Sequence, residues 1–315
     1  MDQRERIAYI DITKTICITL MVVGHWTNNS ILLMYIYSFH MPALFVISGF
    51  LYKPHPWKRT IISFGVPVVF YSLINIGVLL LIGELKFNSL FSRDVFFRFF
   101  HYRFGLGDGF FMGDWFIWSL LGLRLLFGDI KKTSFFKKYY IAVSIIVIIY
   151  MSFESYLISI DTLFRGWYIS RLIPSLPFFC FGFFLKDNKW NPLCLSLNRV
   201  LILCLLFILI PIINGMCSIN SNEYGLSYMI FYINAIVSTI FMFTISVNLP
   251  SNQFATTISK GTMLILGLHV PIMKILNGIL PQYCDIIIPF LTIFICFYPI
   301  RWLDKYCPLL LGKAK

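Results

Sequence analysis

Three ionisable residues stand in the first long apolar stretch of the chain: Asp11, Lys14 and His25. On a helix with 100° per residue, Lys14 and His25 lie only about 20° apart around the axis and roughly 16 Å apart along it. Asp11 precedes Lys14 by three residues, the spacing at which opposite charges pair on a helix. One stripe of the first helix therefore holds an ion pair, Asp11 and Lys14, near one end and an imidazole, which exchanges protons near neutral pH, near the other.

A simpler interpretation of the three residues in the first stretch is also open. Asp11 and Lys14 could be anchors at a membrane surface, and His25 could be an interfacial residue. A charge near the centre of a bilayer costs at least ~2.5–3.5 kcal/mol, so a charge there needs a partner or a cavity. The shared face of Lys14 and His25 therefore favours a polar cavity inside a helix bundle.

The second apolar stretch places His40 two residues before Pro42, and Ser48 beside Gly49. A proline in a helix frees a backbone carbonyl, which could accept a hydrogen bond from His40. The Ser48-Gly49 pair allows a close helix approach or a further hydrogen bond. Only a few residues separate the first two stretches, so we expect His25 and His40 to share one site.

Three other side chains are candidates for binding substrate. His269 lies in the middle of an apolar stretch, two residues before Pro271, and Arg171 opens another stretch. Arg171 could equally be an interfacial arginine whose charge reaches the membrane surface. Trp115, within Asp114-Trp115-Phe116, could belong to the aromatic belt of a membrane protein.

The histidines and cysteines lack the spacing of a metal site, so no metal is expected. Most of the eight cysteines fall in apolar stretches, where they act as small hydrophobic residues. Cys217 and Cys284 are predicted to lie in loops on one side, and a disulfide between them is left open.

The composition explains where these residues must sit. Hydrophobic residues make up 58% of the 315 residues and charged residues only 13%, against about 25% charged in an average soluble domain. A membrane-spanning helix needs about 20 largely apolar residues. The sequence therefore predicts an all-α integral membrane protein with about ten transmembrane helices in a single domain, 1–315. The predicted spans are 8–26, 31–51, 60–83, 114–129, 139–156, 168–186, 196–214, 226–248, 259–280 and 285–301.

The basic residues indicate the orientation of these spans. Seventeen of the 26 Lys and Arg residues fall on the side of the two termini and five on the opposite side, which predicts cytoplasmic termini and a multi-pass plasma (inner) membrane protein. The net charge of +12 predicts contact with membrane lipid rather than with nucleic acid. The segment 84–113 then lies outside, either as an interfacial helix or as a lid over an acceptor.

The order of these segments resembles the acyltransferase 3 family of membrane O-acyltransferases over essentially the whole chain. The specific part is a basic residue separated by ten residues from a histidine, followed by a His-Met-Pro segment that ends in Ser-Gly. The matching segments are Asp11-Ile-Thr-Lys14, His25, Phe39-His-Met-Pro-Ala-Leu-Phe-Val-Ile-Ser-Gly-Phe50, Asp114-Trp-Phe116, Arg171 through Gly182 and Leu268-His-Val-Pro-Ile272.

The resemblance implies a bundle of ten spans that transfers an acyl group, usually acetyl, from cytoplasmic acyl-CoA to a sugar hydroxyl of a cell-surface glycan. His25 would be the main catalytic residue and Lys14 its basic companion. Many relatives carry an Arg-x-x-Arg pair before span three, whereas this chain has Lys53, Lys58 and Arg59 there. Fourteen residues follow Arg301, so a stand-alone type without a hydrolase-like domain is expected.

These observations predict a membrane-bound O-acetyltransferase that uses acetyl-CoA and acts on a cell-surface polysaccharide or its lipid-linked precursor. His25 would be the general base, or would carry an acetyl-histidine intermediate. Lys14, Lys58 and Arg59 would attract the CoA phosphates, and His40 and Arg171 would position substrate or stabilise an oxyanion. The alternatives are a transporter or flippase of lipid-linked glycan without acyl chemistry, and a non-catalytic scaffold. The acceptor sugar and the oligomeric state are not predicted.

Overall fold

The computed structural model describes residues 8–90, 92, 113–128, 138–153, 169–192, 195–281 and 285–314, and within them the fold is α-helical apart from one pair of two-residue strands. Ten of the eleven α-helices in this part coincide with the apolar stretches predicted above. The eleventh is a short helix, α9. The helices are α1 Ala8–Gly24, α2 Ser30–Phe50, α3 Trp57–Leu81, α4 Asp114–Leu126, α5 Tyr140–Ser152, α6 Ile169–Asp187, α7 Leu197–Asn214, α8 Tyr228–Val247, α9 Gln253–Lys260, α10 Thr262–Ile279 and α11 Ile288–Tyr306.

Five helices in the described part of the chain are long and apolar enough to cross a membrane: α2, α3, α7, α8 and α10. This identifies a multi-pass membrane protein, while the count of ten spans and the cytoplasmic termini stay predictions. The segment 84–113 falls largely outside the described residues, and so does Cys284 with its suggested disulfide.

Two features of the fold differ from the predicted spans. Most of α9 lies in the loop predicted before the ninth span, 259–280, and only its last two residues, Ser259 and Lys260, belong to that span, which continues after Gly261 as α10. A two-residue strand, β1 Cys217–Ser218, pairs in an antiparallel manner with β2 Glu223–Tyr224 in a loop where no strand was expected. Both elements are too short for hydrophobic periodicity to indicate them.

The chain divides into two compact units. The first contains α1, α2, α5, α6 from Ile173 onward, α7, α8 and α9 as far as Ser259. The second contains α3, α4, the start of α6 as far as Leu172, α10, α11 and a 3₁₀ turn at Pro308–Leu311. Each unit is described separately below.

In the first unit, α2 and α6 cross with their backbones in contact. A Cβ atom on Gly49 would lie 2.0 Å from the carbonyl oxygen of Phe179, and one on Gly182 would lie 2.1 Å from the carbonyl oxygen of Val46. No side chain fits at either position, so glycine is required for this crossing. Of the two possibilities at Ser48-Gly49, a close helix approach or a further hydrogen bond, the structure shows the close approach, and Gly49 makes the contact.

In the second unit, α3 and α10 are joined by a buried side chain. Pro271 has no N–H, so it leaves the carbonyl of Gly267 without the donor that a regular helix would provide. The side-chain amide of Asn75 donates to that carbonyl oxygen at 2.8 Å. Asn75 is only 4% exposed, so this bond also satisfies a polar group inside the protein.

Candidate active site

Helix α1 holds Lys14 and His25 on one face. The helix ends at Gly24, but the amide of His25 still donates to the carbonyl of Met21 at 3.1 Å, so helical geometry continues to its backbone. Ile18 and Met21, which lie on the same face between the two, are buried. Lys14 is half-buried and His25 is exposed, in the turn that follows the helix. The face is therefore turned into the protein, with a reachable imidazole at its end.

Asp11 is turned towards α9. Its carboxylate accepts a hydrogen bond of 2.6 Å from the hydroxyl of Ser259, and it is buried. One turn further along α1, the hydroxyl of Thr15 donates to the carbonyl of Ala255 at 2.8 Å. The three-residue spacing from Lys14 did not indicate this partner, because α9 itself was not predicted.

His40 is buried within α2 and has a defined tautomer. Its Nδ1 lies 2.6 Å from the carbonyl oxygen of Ile36, so Nδ1 carries the proton and donates, which leaves the lone pair on Nε2. The acceptor is not the carbonyl that Pro42 makes available. Pro42 frees the carbonyl of Ser38, four residues earlier, whereas His40 bonds to the carbonyl four residues before itself.

Tyr37 connects the two histidines of the first unit. Its ring lies 5.4 Å from the His40 ring, centroid to centroid, and its hydroxyl donates to the carbonyl of Gly24 at 3.0 Å. His25 follows Gly24, and its imidazole is near enough to His40 for the two to interact electrostatically. The two histidines thus lie within range of each other in the first unit, and their sharing of one site stays a prediction. Tyr37 is not among the residues predicted from the sequence; its one signal there is its position one helical turn before His40.

Ser48 also belongs to the first unit, but it lies eight residues after His40 along α2. Eight residues of helix correspond to about 12 Å along the axis. Ser48 is half-buried beside the Gly49 crossing. Within α2, its position is that of a residue near the helix crossing rather than that of a neighbour of His40.

The second unit contains the remaining candidates. His269 is fully buried in α10, and its Nδ1 donates to the carbonyl of Ile265 at 2.8 Å, which repeats the arrangement of His40. Trp115 is buried at the start of α4, where its amide donates to the Asp114 carboxylate at 2.6 Å, so it is not a lipid-facing belt residue. Arg171 is half-buried, and its guanidinium donates to the hydroxyl of Ser170.

Lys58 and Arg59 lie exposed in the first turn of α3. The Nε of Arg59 donates to the carbonyl of Ala314 at 2.9 Å, and Lys58 lies over the ring of Trp57. The segment after α11 therefore folds back onto the start of α3. This arrangement leaves the Lys58 ammonium at the surface of the second unit.

Asp304 is the centre of an ion-pair cluster in the same unit. Its carboxylate accepts from Lys260 at 2.7 Å and from Lys313. Partial burial alone would raise the pKa of Asp304, but the hydrogen bonds from Lys260 and Lys313 hold it below its ordinary value. These contacts link α11 to the end of α9 and to the segment that reaches Arg59.

Comparison with known protein families identifies the class of this chain. The model of an acyltransferase domain, the acyltransferase 3 family, matches residues 7–302. The match covers nearly the whole chain, and the chain therefore belongs to this family of acyltransferases. No curated protein and no solved structure shows a significant match.

Proposed function

We propose that this protein is a membrane-bound O-acetyltransferase that moves an acetyl group from acetyl-CoA to a sugar hydroxyl. The acceptor would be a cell-surface polysaccharide or its lipid-linked precursor. The observation that carries the proposal is the exposed His25 within electrostatic range of the buried His40, in a chain of an acyltransferase family. An exposed imidazole can reach a substrate, while a buried neighbour with a defined tautomer can orient one.

The proposed reaction is a direct acyl transfer with His25 as general base. Its imidazole takes the proton of the sugar hydroxyl as the hydroxyl oxygen attacks the thioester carbonyl. The tetrahedral oxyanion collapses, the carbon–sulfur bond breaks, and the imidazolium returns the proton to the departing CoA thiolate. In the variant with an acetyl-histidine intermediate, the imidazole attacks the thioester carbonyl, the carbon–sulfur bond breaks, and CoA leaves as the thiol with the imidazole proton. The sugar hydroxyl oxygen then attacks the acetyl carbonyl, the bond from acetyl to the ring nitrogen breaks, and the imidazole takes up the hydroxyl proton.

The cationic residues are proposed to guide the donor. Lys14, Lys58 and Arg59 would attract the phosphates of acetyl-CoA, as Lys and Arg do at anion sites. Asp11, bonded to Ser259, would help to hold the start of α1 and therefore Lys14.

The remaining candidates are proposed to bind the substrates. His40 and Arg171 would orient the reacting groups or stabilise the oxyanion. Ser48, Trp115 and His269 would contribute to acceptor binding. The protein would work as a single domain with ten spans and cytoplasmic termini in the plasma (inner) membrane, so that Lys14 faces the donor side of the bilayer.

The proposal is tested with purified protein in lipid nanodiscs and acetyl-labelled acetyl-CoA, with glycan from a strain that lacks the protein as acceptor. His25→Ala is expected to abolish transfer. The matched control is Asn28→Ala, which changes an exposed residue of the same loop between α1 and α2 and should leave transfer unchanged. Transfer by His25→Ala at the wild-type rate would remove His25 from the reaction. Normal acetylation with defective glycan export in the deletion strain would favour a transporter instead.

Lys14 is tested separately through the donor. Lys14→Ala is expected to raise the KM for acetyl-CoA on the order of tenfold, which corresponds to ~1.4 kcal/mol of binding. Lys138→Ala, which removes an exposed lysine before α5, is the matched control. An equal KM in the two variants would exclude Lys14 from donor binding.

A further inference from the structure

The peptide group between Gly24 and His25 is held at both of its polar ends. Its N–H, which belongs to His25, donates to the carbonyl of Met21 at 3.1 Å, and its carbonyl accepts from the hydroxyl of Tyr37 at 3.0 Å. A peptide group is planar, so two hydrogen bonds at opposite ends fix its orientation. The last carbonyls of a helix have no hydrogen-bond donor within the helix, and here the Tyr37 hydroxyl is the donor for one of them, the carbonyl of Gly24. The backbone that enters His25 is therefore set by a side chain of α2.

The absence of a side chain at Gly24 allows this contact. A Cβ atom there would lie 2.9 Å from Cε1 of Tyr37 and 3.3 Å from Cγ2 of Ile36. Carbon atoms do not approach to 2.9 Å without a shift of one of them. Glycine at this position lets the Tyr37 ring pack directly on the end of α1.

The same ring is in contact with His40. The Tyr37 and His40 rings are 5.4 Å apart and tilted by 32°, and the His40 ring is fixed by its bond to the carbonyl of Ile36. The Tyr37 side chain thus contacts both the backbone just before the exposed His25 and the ring of the buried His40. The hydroxyl proton of Tyr37 is used in the bond to Gly24, so Tyr37 is not a proton donor to substrate.

We propose that Tyr37 is a positioning residue that sets the placement of the His25 imidazole relative to His40. This inference rests on the proposed function of the two histidines. Geometry of this kind matters because a misplacement of about 1 Å between reacting groups can cost on the order of 100-fold in rate.

The kinetic test uses Tyr37→Phe, which keeps the ring against His40 and removes the hydroxyl. We expect kcat to fall on the order of 10-fold to 100-fold, with the KM for acetyl-CoA little changed. The matched control is Tyr35→Phe, because the Tyr35 hydroxyl on the same helix also donates to a backbone carbonyl, that of Ile208, at 2.8 Å. An equal kcat in the two variants would overturn the inference.

A double-mutant cycle separates positioning from general stability. If Tyr37 acts by aligning His25 with His40, Tyr37→Phe loses most of its effect on kcat in a His40→Gln background. The same fold-loss in both backgrounds would contradict the inference. Gly24→Ala, which displaces the Tyr37 ring, is expected to reproduce the kinetic effect of Tyr37→Phe and serves as a second variant.

A measurement without turnover distinguishes this inference from the proposed function. In nanodiscs with ¹⁵N-labelled histidine, the imidazole resonances of His25 are expected to move in Tyr37→Phe and to stay in place in Tyr35→Phe. Unmoved resonances in Tyr37→Phe would overturn the positioning role even if the wild-type protein transfers acetyl groups. Moved resonances in a protein that transfers none would support the placement of His25 by Tyr37 and reject the acetyltransferase.

Discussion

Ser259 of α9 donates a 2.6 Å hydrogen bond to the carboxylate of Asp11, near the start of α1. Asp11 is 7% exposed and Ser259 is 4% exposed, so the bond lies inside the protein. A buried carboxylate requires hydrogen-bond donors, because water is not there to solvate it. The bond therefore ties a charged residue of the Lys14–His25 helix to an element far along the chain.

Ser259→Ala is expected to destabilise the protein by about 1–3 kcal/mol, because the carboxylate of Asp11 loses a donor without gaining water. The measurement is the thermal unfolding midpoint of the detergent-solubilised protein. Ser251→Ala, which removes an exposed hydroxyl before α9, is the control and should leave the midpoint in place. Equal midpoints in the two variants would show that the Ser259 bond contributes no net stability.

Gly49→Ala is expected to prevent the normal packing of α2 against α6. The added methyl would meet the carbonyl oxygen of Phe179 at 2.0 Å, so the helices must separate, at a cost of at least 1–3 kcal/mol, roughly the range for overpacked cores. Gly65→Ala in α3 is the matched control, because nothing lies within 4 Å of the new methyl. We expect a low yield of folded Gly49→Ala protein and a normal yield of Gly65→Ala. Normal yield and stability of both would refute the close crossing.

Asn75→Ala is expected to destabilise the protein by roughly 1–3 kcal/mol, because the carbonyl of Gly267 is left without a donor. In Pro271→Ala, the restored amide can bond to that carbonyl within α10, so Asn75→Ala should cost less in this background. The measurement is a double-mutant cycle on unfolding free energies. Additive effects would contradict a shared acceptor.

The ion pairs of Asp304 predict a dependence of stability on pH. Because its pKa in the folded protein lies below the ordinary value of 3.8, Asp304 contributes stability above that value. The contribution is lost as the pH falls through the lowered pKa, when the carboxylate takes up a proton. We therefore expect Asp304→Asn to be less stable than the wild type near neutral pH.

The test of this ion-pair cluster is the unfolding midpoint of both proteins across the acidic range. The difference between the wild type and Asp304→Asn should shrink as the pH falls below about 4. A difference that stays constant with pH would mean that the charge of Asp304 does not stabilise the fold. Lys313→Gln should reduce the same difference, because it removes one of the two cations.

The sequence predicted much of the site because part of it is local. The common face of Lys14 and His25 follows from helical periodicity alone, and the structure retains it. The proximity of His40 to His25 follows from the short connection between the two helices. A contact between helices at Gly49 could also be predicted from the sequence, because small residues permit close backbone approach.

Other parts of the site depend on contacts between distant residues. No local pattern links Asp11 to Ser259, or Asn75 to Gly267. The carbonyl freed by Pro42 was one possible acceptor for His40, but the ring donates to the carbonyl of Ile36, which lies one turn away on its own face. No local pattern distinguishes Tyr37, because tyrosines are common in this chain and its partner, Gly24, carries no side chain.

The sequence by itself determined that this is an all-α membrane protein, and which residues lie on the same face of α1. Those properties depend on hydropathy and on the repeat of a helix, and both are carried by consecutive residues. Only the tertiary structure decided that the Asp11 carboxylate meets Ser259 and that Tyr37 joins Gly24 to His40. Such contacts form where helices cross. The position of a crossing depends on how closely two backbones can approach, and no single segment of the sequence specifies that distance.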